Sequence, residues 1–288
     1  MLPEFEMKLP ATLPEALRAL AETPNIAPVA GGTNLVVDLR SGRHHPAALI
    51  NIAALPELQG INLGENCLTI GAGVTLTALL ESGLIADHAP VLRQAAAVFA
   101  NPLVRNRATL GGNLGDASPA ADTAPALLVM DAEVILESLN GGMRTVAIDD
   151  FFVGVRKTAR RPDELITAVR LPLLPAHSAA NFYKLGLRKA DAISVVGVAA
   201  RLTRDEAGNC TEARIALGSV APRPLRAHAA EELLIGKPLT AEAIAEAARL
   251  AAEAASPISD VRASADYRRH TAGVLARRLL AQAADQIK

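Results

Sequence analysis

Two glycine pairs set the tightest limits on what this chain can fold into. Gly31-Gly32 lies in Val29-Ala30-Gly31-Gly32-Thr33-Asn34-Leu35, and Gly111-Gly112 lies in Thr109-Leu110-Gly111-Gly112-Asn113. Without a Cβ the backbone takes φ > 0, comes close to a ligand and turns amide N–H groups toward an anion. The second pair sits in a polar stretch, Asn101 to Asp122, which reads as a loop. There Thr109, Asn113 and Ser118 bring short hydrogen-bonding groups, and Asp116 and Asp122 bring carboxylates. Phosphate is the natural anion for one such nest, and two nests suit a pyrophosphate. Taken alone, each pair also reads as a tight turn. No G-x-G-x-x-G opens a helix and no Gly-Lys-Ser/Thr follows the glycines, which disfavours the usual mononucleotide folds.

Around these pairs the chain divides into three units: residues 1–57, 58–175 and 176–288. In the first, Leu13 to Ala21 has helical spacing behind a Thr12 cap and an early Pro14. Ala27 to Ala30 reads as a strand delivering the first glycine pair, Leu35 to Arg40 as a helix, and Ala48 to Ile52 as a second strand. In the second unit, Cys67 to Gly73 is strand-like, and Thr75 to Glu81 and Val91 to Phe99 are helical. Ala124 to Met130 is a short helix, and Asn140-Gly141-Gly142 turns a hairpin between Ala132–Glu137 and Arg144–Ile148. The strand Glu164 to Leu171 runs into the linker Pro172-Leu173-Leu174-Pro175. Strands at Ala180–Leu187, Val195–Thr203 and Cys210–Leu217 follow, then helices over Thr240–Ala255 and Ser264–Ala284.

Composition narrows the function. With 29 basic and 30 acidic residues the net charge is −1, which gives no electrostatic footprint for nucleic acid. Cys67 and Cys210 are the two cysteines, too few for a cluster held by four thiolates or a disulfide framework. No apolar run of about eighteen residues marks a transmembrane segment, and the start has no basic-then-apolar leader pattern; the expectation is a soluble cytoplasmic protein. The histidines are scattered, with His44-His45 read as a loop or surface pair, and Asp149-Asp150 as turn or cap residues. No acid–base set or metal site stands out, so chemistry must come from a cofactor. Arg262, Arg268, Arg269, Arg277 and Arg278 make a basic C-terminal segment, read either as a docking face for a partner or as a solvated helical face.

Six segments carry a resemblance. Ala30-Gly31-Gly32-Thr33, Arg105 to Asn113, Ala117-Ser118-Pro119-Ala120-Ala121-Asp122, Phe151 to Thr158, Tyr183 to Lys189 and Asp260 to His270 are similar to the FAD-binding medium subunit of the molybdenum hydroxylases, the xanthine dehydrogenase and carbon monoxide dehydrogenase family. The resemblance implies an α/β (α+β) fold: an FAD-binding unit of two subdomains with flavin between them, then a C-terminal antiparallel sheet with helices. It implies that Val29, Ala30, Gly31, Gly32, Thr33, Asn34 and Leu35 contact the pyrophosphate, mainly by backbone amides, and that Thr109, Leu110, Gly111, Gly112 and Asn113 form an opposing nest. Phe99 matches a position beside the cofactor, Asp122 a carboxylate that binds it, Ile166 an apolar contact and Lys184 a basic residue near it. Lys184 would there stabilise negative charge on reduced flavin.

The resemblance also implies partners: a large molybdopterin-binding subunit that oxidises the substrate and a small subunit with two [2Fe-2S] clusters, in a heterotrimer or a dimer of heterotrimers. FAD on this chain would pass the electrons to an external acceptor, and the Phe151 and Asp260 segments lean toward the xanthine dehydrogenase-like group. Two other readings stay open at this point. One is a self-sufficient FAD oxidase or dehydrogenase, which would need its own base near the flavin; the other is a non-redox nucleotide-binding scaffold.

Overall fold

The computed structural model describes residues 4–287. The first unit is a parallel three-stranded sheet with two helices: β1 (Glu6–Lys8), α1 (Leu13–Glu22), β2 (Ile26–Val29), α2 (Leu35–Arg40) and β3 (Ala48–Asn51). β3 lies between β1 and β2 and is parallel to both. β1 had no sequence signal; its three residues gain their place by adding to the edge of β3. Thr12 caps α1, accepting a hydrogen bond from the Glu15 amide at 3.4 Å. The apolar stripe Leu13, Ala16, Leu17 and Leu20 packs with Ile50, Leu55, Leu58 and Leu165 into a small core, and Ala27, Leu39 and Leu49 form a second.

The second unit begins with β4 (Ile61–Leu63) and β5 (Cys67–Gly71), then a run of short helices: α3 (Leu76–Glu81), α4 (Gly83–His88), α5 (Pro90–Ala97), α6 (Pro102–Arg105), α7 (Leu110–Asp116) and α8 (Thr123–Val129). A hairpin of β6 (Glu133–Ser138) and β7 (Gly142–Ala147) follows, then α9 (Ile148–Phe151), the small hairpin β8 (Phe152–Gly154) and β9 (Lys157–Thr158), and the returning strand β10 (Glu164–Pro172). Five of these strands form an antiparallel sheet ordered β4-β5-β10-β6-β7, so β10, last in sequence, is central. Its register against β6 slips between Ile166 and Ala168, a bulge that re-aims the strand. The β6–β7 turn falls at the expected glycines.

Asn101 to Asp122, expected as a loop, holds two short helices, with Asn101 capping α6 and Thr109 capping α7. Asp149 and Asp150, read as turn or cap residues, lie in the first turn of the short helix α9, whose N-cap is Ala147.

The third unit is an antiparallel sheet of β11 (Ser178–Gly186), β12 (Ser194–Arg204), β13 (Cys210–Gly218) and β14 (Leu225–Arg226), in that order, covered by α10 (His228–Leu234), α11 (Ala241–Glu253) and α12 (Ala265–Gln286). One side of this sheet packs on α12 and the other on α8 of the second unit. Phe182, Ala199 and Ala216 therefore share one buried core with Leu127, Leu128, Phe151 and the rest of the second unit. Polar ties run across the same seam. Gln94 of α5 accepts from the Phe182 amide at 2.7 Å and donates to Asn181 at 3.4 Å. Asp131, just after α8, receives Arg201 at 2.7 Å, Arg214 at 2.9 Å and Arg226 at 3.0 Å.

One arginine of the basic C-terminal segment has a structural role. Arg268 is buried, donating to the carbonyls of Val195 and Ser219 and to Asp260. It is a structural brace, and not part of a solvent-facing docking surface.

Candidate functional site

The chain from β2 enters the loop Ala30–Asn34 at the carboxyl end of a parallel strand, where open α/β sheets commonly bind ligands. The loop faces α7 and β10 of the second unit across a cavity of about 760 Å³. That is within the range of roughly 300–1,000 Å³ usual for cofactor sites. Ile26, Ile52, Phe99, Leu165 and Ile166 supply its apolar walls.

Two of the glycines work as the sequence suggested and two do not. Gly32 has φ +72°, and the carbonyls of Gly32 and Asn34 turn into α2, accepting from the amides of Val36 and Asp38 at 3.1 and 3.0 Å. Among the described residues, no acceptor meets the amides of Gly31, Gly32, Thr33, Asn34 or Leu35, so a row of donors is left for a ligand. Gly31 lets the two units touch: a Cβ there would stand 1.8 Å from the Arg107 carbonyl oxygen.

The expected second nest is spent on the protein itself. The Leu110 amide donates to Val74 at 2.9 Å, Gly111 to Ala72 at 2.8 Å, Gly112 to the Thr109 hydroxyl at 3.0 Å and Asn113 to the Thr109 carbonyl at 2.9 Å. Gly111 is small because a Cβ would meet the Ala72 Cβ at 2.6 Å. Gly111, Gly112 and Gly115 thus give the cavity a wall of helix backbone without side chains.

Of the residues singled out from sequence, Val29 to Leu35, Phe99, Thr109, Gly111, Gly112, Asn113 and Ile166 line the cavity; Leu110, Asp122 and Lys184 do not. Leu110 is fully buried beneath it. Asp122 and Lys184 form a buried ion pair at 2.6 Å, and the Lys184 ammonium also donates to the carbonyl of Val98, next to Phe99. Burial pushes the Asp122 carboxyl up to about 6, against the opposing pull of Lys184. Its Oδ1 is buried with no partner among the described residues. The neighbouring Thr123 hydroxyl donates to Asn113 at 2.6 Å, which links this pair to the cavity wall.

Sequence reasoning does not place Asp38, Arg43, His44, Arg156 or Arg160 at the cavity, whereas Asp116 stands out as a carboxylate of the polar stretch. They come from separate elements and form no local motif; only the match of the Phe151–Thr158 segment hinted at Arg156. The Arg160 guanidinium donates to the Glu164 carbonyl at 2.6 Å, and burial draws its pKa down against the fields of Glu164 and Asp163.

Residues 3–174 match the FAD-binding domain in molybdopterin dehydrogenase, and residues 181–283 match the CO dehydrogenase flavoprotein C-terminal domain. The chain belongs to the FAD-binding subunits of the molybdenum hydroxylases. This flavoprotein subunit is 36% identical to the nicotinate dehydrogenase FAD-subunit of Eubacterium barkeri, over 99% of this chain and 98% of that protein. It is 34% identical to a putative xanthine dehydrogenase FAD-binding subunit of Escherichia coli, over 95% and 94%. Among solved structures, a chain of carbon monoxide dehydrogenase from Hydrogenophaga pseudoflava superposes with a TM-score of 0.96 at 33% identity, covering 100% of both chains. Quinoline 2-oxidoreductase from Pseudomonas putida 86 superposes at 0.91 with 32% identity, covering 99% and 98%. The flavoprotein subunit is thus an oxidoreductase component whose cofactor is FAD. The cavity fits that cofactor: it offers an unspent row of amides for a diphosphate and apolar walls for flat rings.

Proposed function

We propose that this chain is the electron-transfer subunit of a molybdenum hydroxylase complex, with FAD held in the cavity between its first two units. The observation that carries the reading is the row of five unspent amides, Gly31 to Leu35, facing that cavity in a chain whose whole length follows FAD subunits. These amides bind the diphosphate. Phe99 and Ile166 flank the ring systems, and Gly111, Gly112 and Gly115 let them approach the backbone of α7. The Asp122–Lys184 pair keeps a cation beside Phe99 without opening the cavity to water. When bound, FAD accepts electrons singly and gives them up singly or in a pair.

The units at 1–57, 58–175 and 176–288 are then two walls of the FAD site and a buttress behind the second wall. The partners are a large molybdopterin-binding subunit and a small subunit with two [2Fe-2S] clusters, in a heterotrimer or its dimer. The clusters supply electrons and an external acceptor removes them. Relatives named as medium chains of carbon monoxide dehydrogenase and glyceraldehyde dehydrogenase support this division of labour. Among the described residues, no helix is long and apolar enough to cross a membrane, and we place the complex in the cytoplasm.

The test is to purify the chain alone and with its two partner subunits. The chain alone should bind one FAD and keep it oxidised in the presence of the complex's substrate. Flavin absorption should bleach only when both partners are added. A folded chain that binds no FAD, or flavin reduced by substrate without partners, would overturn the reading.

A further inference from the structure

Two carboxylates flank the place where the Gly31–Leu35 amides face the cavity: Asp38 on α2 and Asp116 on α7. Their side chains are 11% and 10% exposed, so water screens them weakly. An anion entering the amide row would meet like charge from both.

Each carboxylate oxygen is nevertheless engaged. Asp38 Oδ1 accepts from Arg43 Nε and Nη2 at 2.9 and 2.7 Å, and Asp38 Oδ2 accepts from Arg156 Nη2. The same Arg156 nitrogen reaches Asp116 Oδ1 at 2.7 Å, and Asp116 Oδ2 accepts from Asn34 Nδ2 at 2.9 Å. Two acids thus face two cations, and Arg156 is the cation common to both acids.

Arg156 comes from a third element and is held there by the backbone. It stands in the turn between β8 and β9 at φ +53°, and its amide donates to the Ala117 carbonyl at 3.1 Å. Ala117 is itself the left-handed residue that ends α7, at φ +48°. Left-handed backbone at a non-glycine residue costs energy and persists where the surroundings enforce it. The turn that presents Arg156 is registered on the same helix that carries Asp116.

We propose that Arg156 is a positioning residue for the diphosphate of FAD, acting through Asp38 and Asp116: together with Arg43 it neutralises the two carboxylates, so that the Gly31–Leu35 amides meet the anion without competing charge. This inference rests on the FAD reading of the cavity. Replacing Arg156 by Gln leaves Asp38, Asp116 and Arg43 with a net negative charge at the edge of the amide row.

The experiment measures dissociation constants of the full chain, stripped of flavin, for FAD and for ADP, which carries the diphosphate without the flavin. The proteins are wild type, R156Q, D116N and the triple variant R156Q/D38N/D116N, at low and moderate salt. R156Q should weaken FAD and ADP alike by about 10- to 100-fold, the scale of a charge-assisted contact, and salt should shrink the loss. The triple variant should recover most of the affinity. D116N, which keeps Arg156, should bind FAD at least as tightly as wild type, and it carries the test if R156Q fails to fold.

Unchanged affinity in R156Q, a triple variant as weak as R156Q, or weaker binding by D116N would overturn the role of Arg156 while leaving FAD binding intact. A wild-type chain that binds neither FAD nor ADP would instead overturn the functional reading on which the role depends.

Discussion

The two walls of the cavity rest on hydrophobic cores of very different size. The first unit closes two small cores of its own, and its main anchor in the second unit's sheet is Leu165 of β10. The second unit shares a continuous core with the C-terminal sheet, so α7 and β10 stand on a body that extends through α8 to β12 and β13. The free amides are on the lighter wall; the backbone-lined, internally satisfied wall is on the heavier one. On the proposed reading, the diphosphate would meet the wall with the smaller cores and the rings the wall that shares the large one.

The largest effect that tests this contrast comes from the heavy body. Phe151 is fully buried there, edge-on to Phe152 with ring centroids 5.3 Å apart. F151A should cost about 3–5 kcal/mol, read as one lowered urea transition for the whole chain. L17A, in the light wall's core, should instead produce a separate, earlier transition and leave the main one in place. A single shared transition lowered equally by both substitutions would break the comparison.

G31A attacks the seam between the walls. A Cβ pressed on the Arg107 carbonyl should cost about 1–3 kcal/mol of strain, paid as FAD affinity at least tenfold weaker, with the main unfolding transition unmoved. Titration with FAD followed by flavin fluorescence measures it; unchanged affinity would mean that the seam does not set the cradle.

Asp122 sharpens the contrast by pH. Its carboxyl is raised from 3.8 to about 6 by burial, so the folded state binds the proton more tightly than the unfolded chain does. The stability that this group contributes is full below about pH 4 and is lost as pH rises toward 6. Relative to D122N, which resembles the protonated form at every pH, wild type should gain on the order of 2 kcal/mol as pH falls from 6 to 4. Paired urea melts at each pH measure this, and a flat difference would remove Asp122 from the account. The smallest expected change is in T109A. It removes the cap that receives the Gly112 amide and should cost about 1 kcal/mol, visible as faster hydrogen exchange confined to α7.

Much of the heavy body was legible in the sequence. The β6–β7 hairpin follows from alternation around Asn140-Gly141, and the long strands β12 and β13 from their β-branched and apolar runs. α7 was not legible, because Leu-Gly-Gly-Asn-Leu-Gly-Asp is a poor helix former by propensity. It is helical because Thr109 caps it and the Gly111 amide is pinned to Ala72, a partner distant in the chain. The same blindness to distance explains the glycines: both pairs stood out, but the sequence could not show that Gly31 and Gly111 serve close backbone packing while Gly32 serves a turn. Asp116 stood out as a carboxylate, but its link through Arg156 to Asp38 was not legible because the tertiary fold alone brings the three together.

The core shared by α8 and the C-terminal sheet has a consequence for biosynthesis. By family match the FAD-binding segment ends at residue 174, yet α8 packs on β12 and β13, and its Leu127 and Leu128 share one buried core with Ala199 and Ala216 of those strands. A nascent chain whose FAD-binding segment has just left the ribosome therefore still exposes this apolar face. It stays open until β12 and β13 emerge, several seconds later at ordinary elongation rates of about 5–20 residues per second. A gene truncated at the family boundary should therefore yield an aggregating product rather than a small FAD-binding protein, as light scattering of the expressed fragment would show.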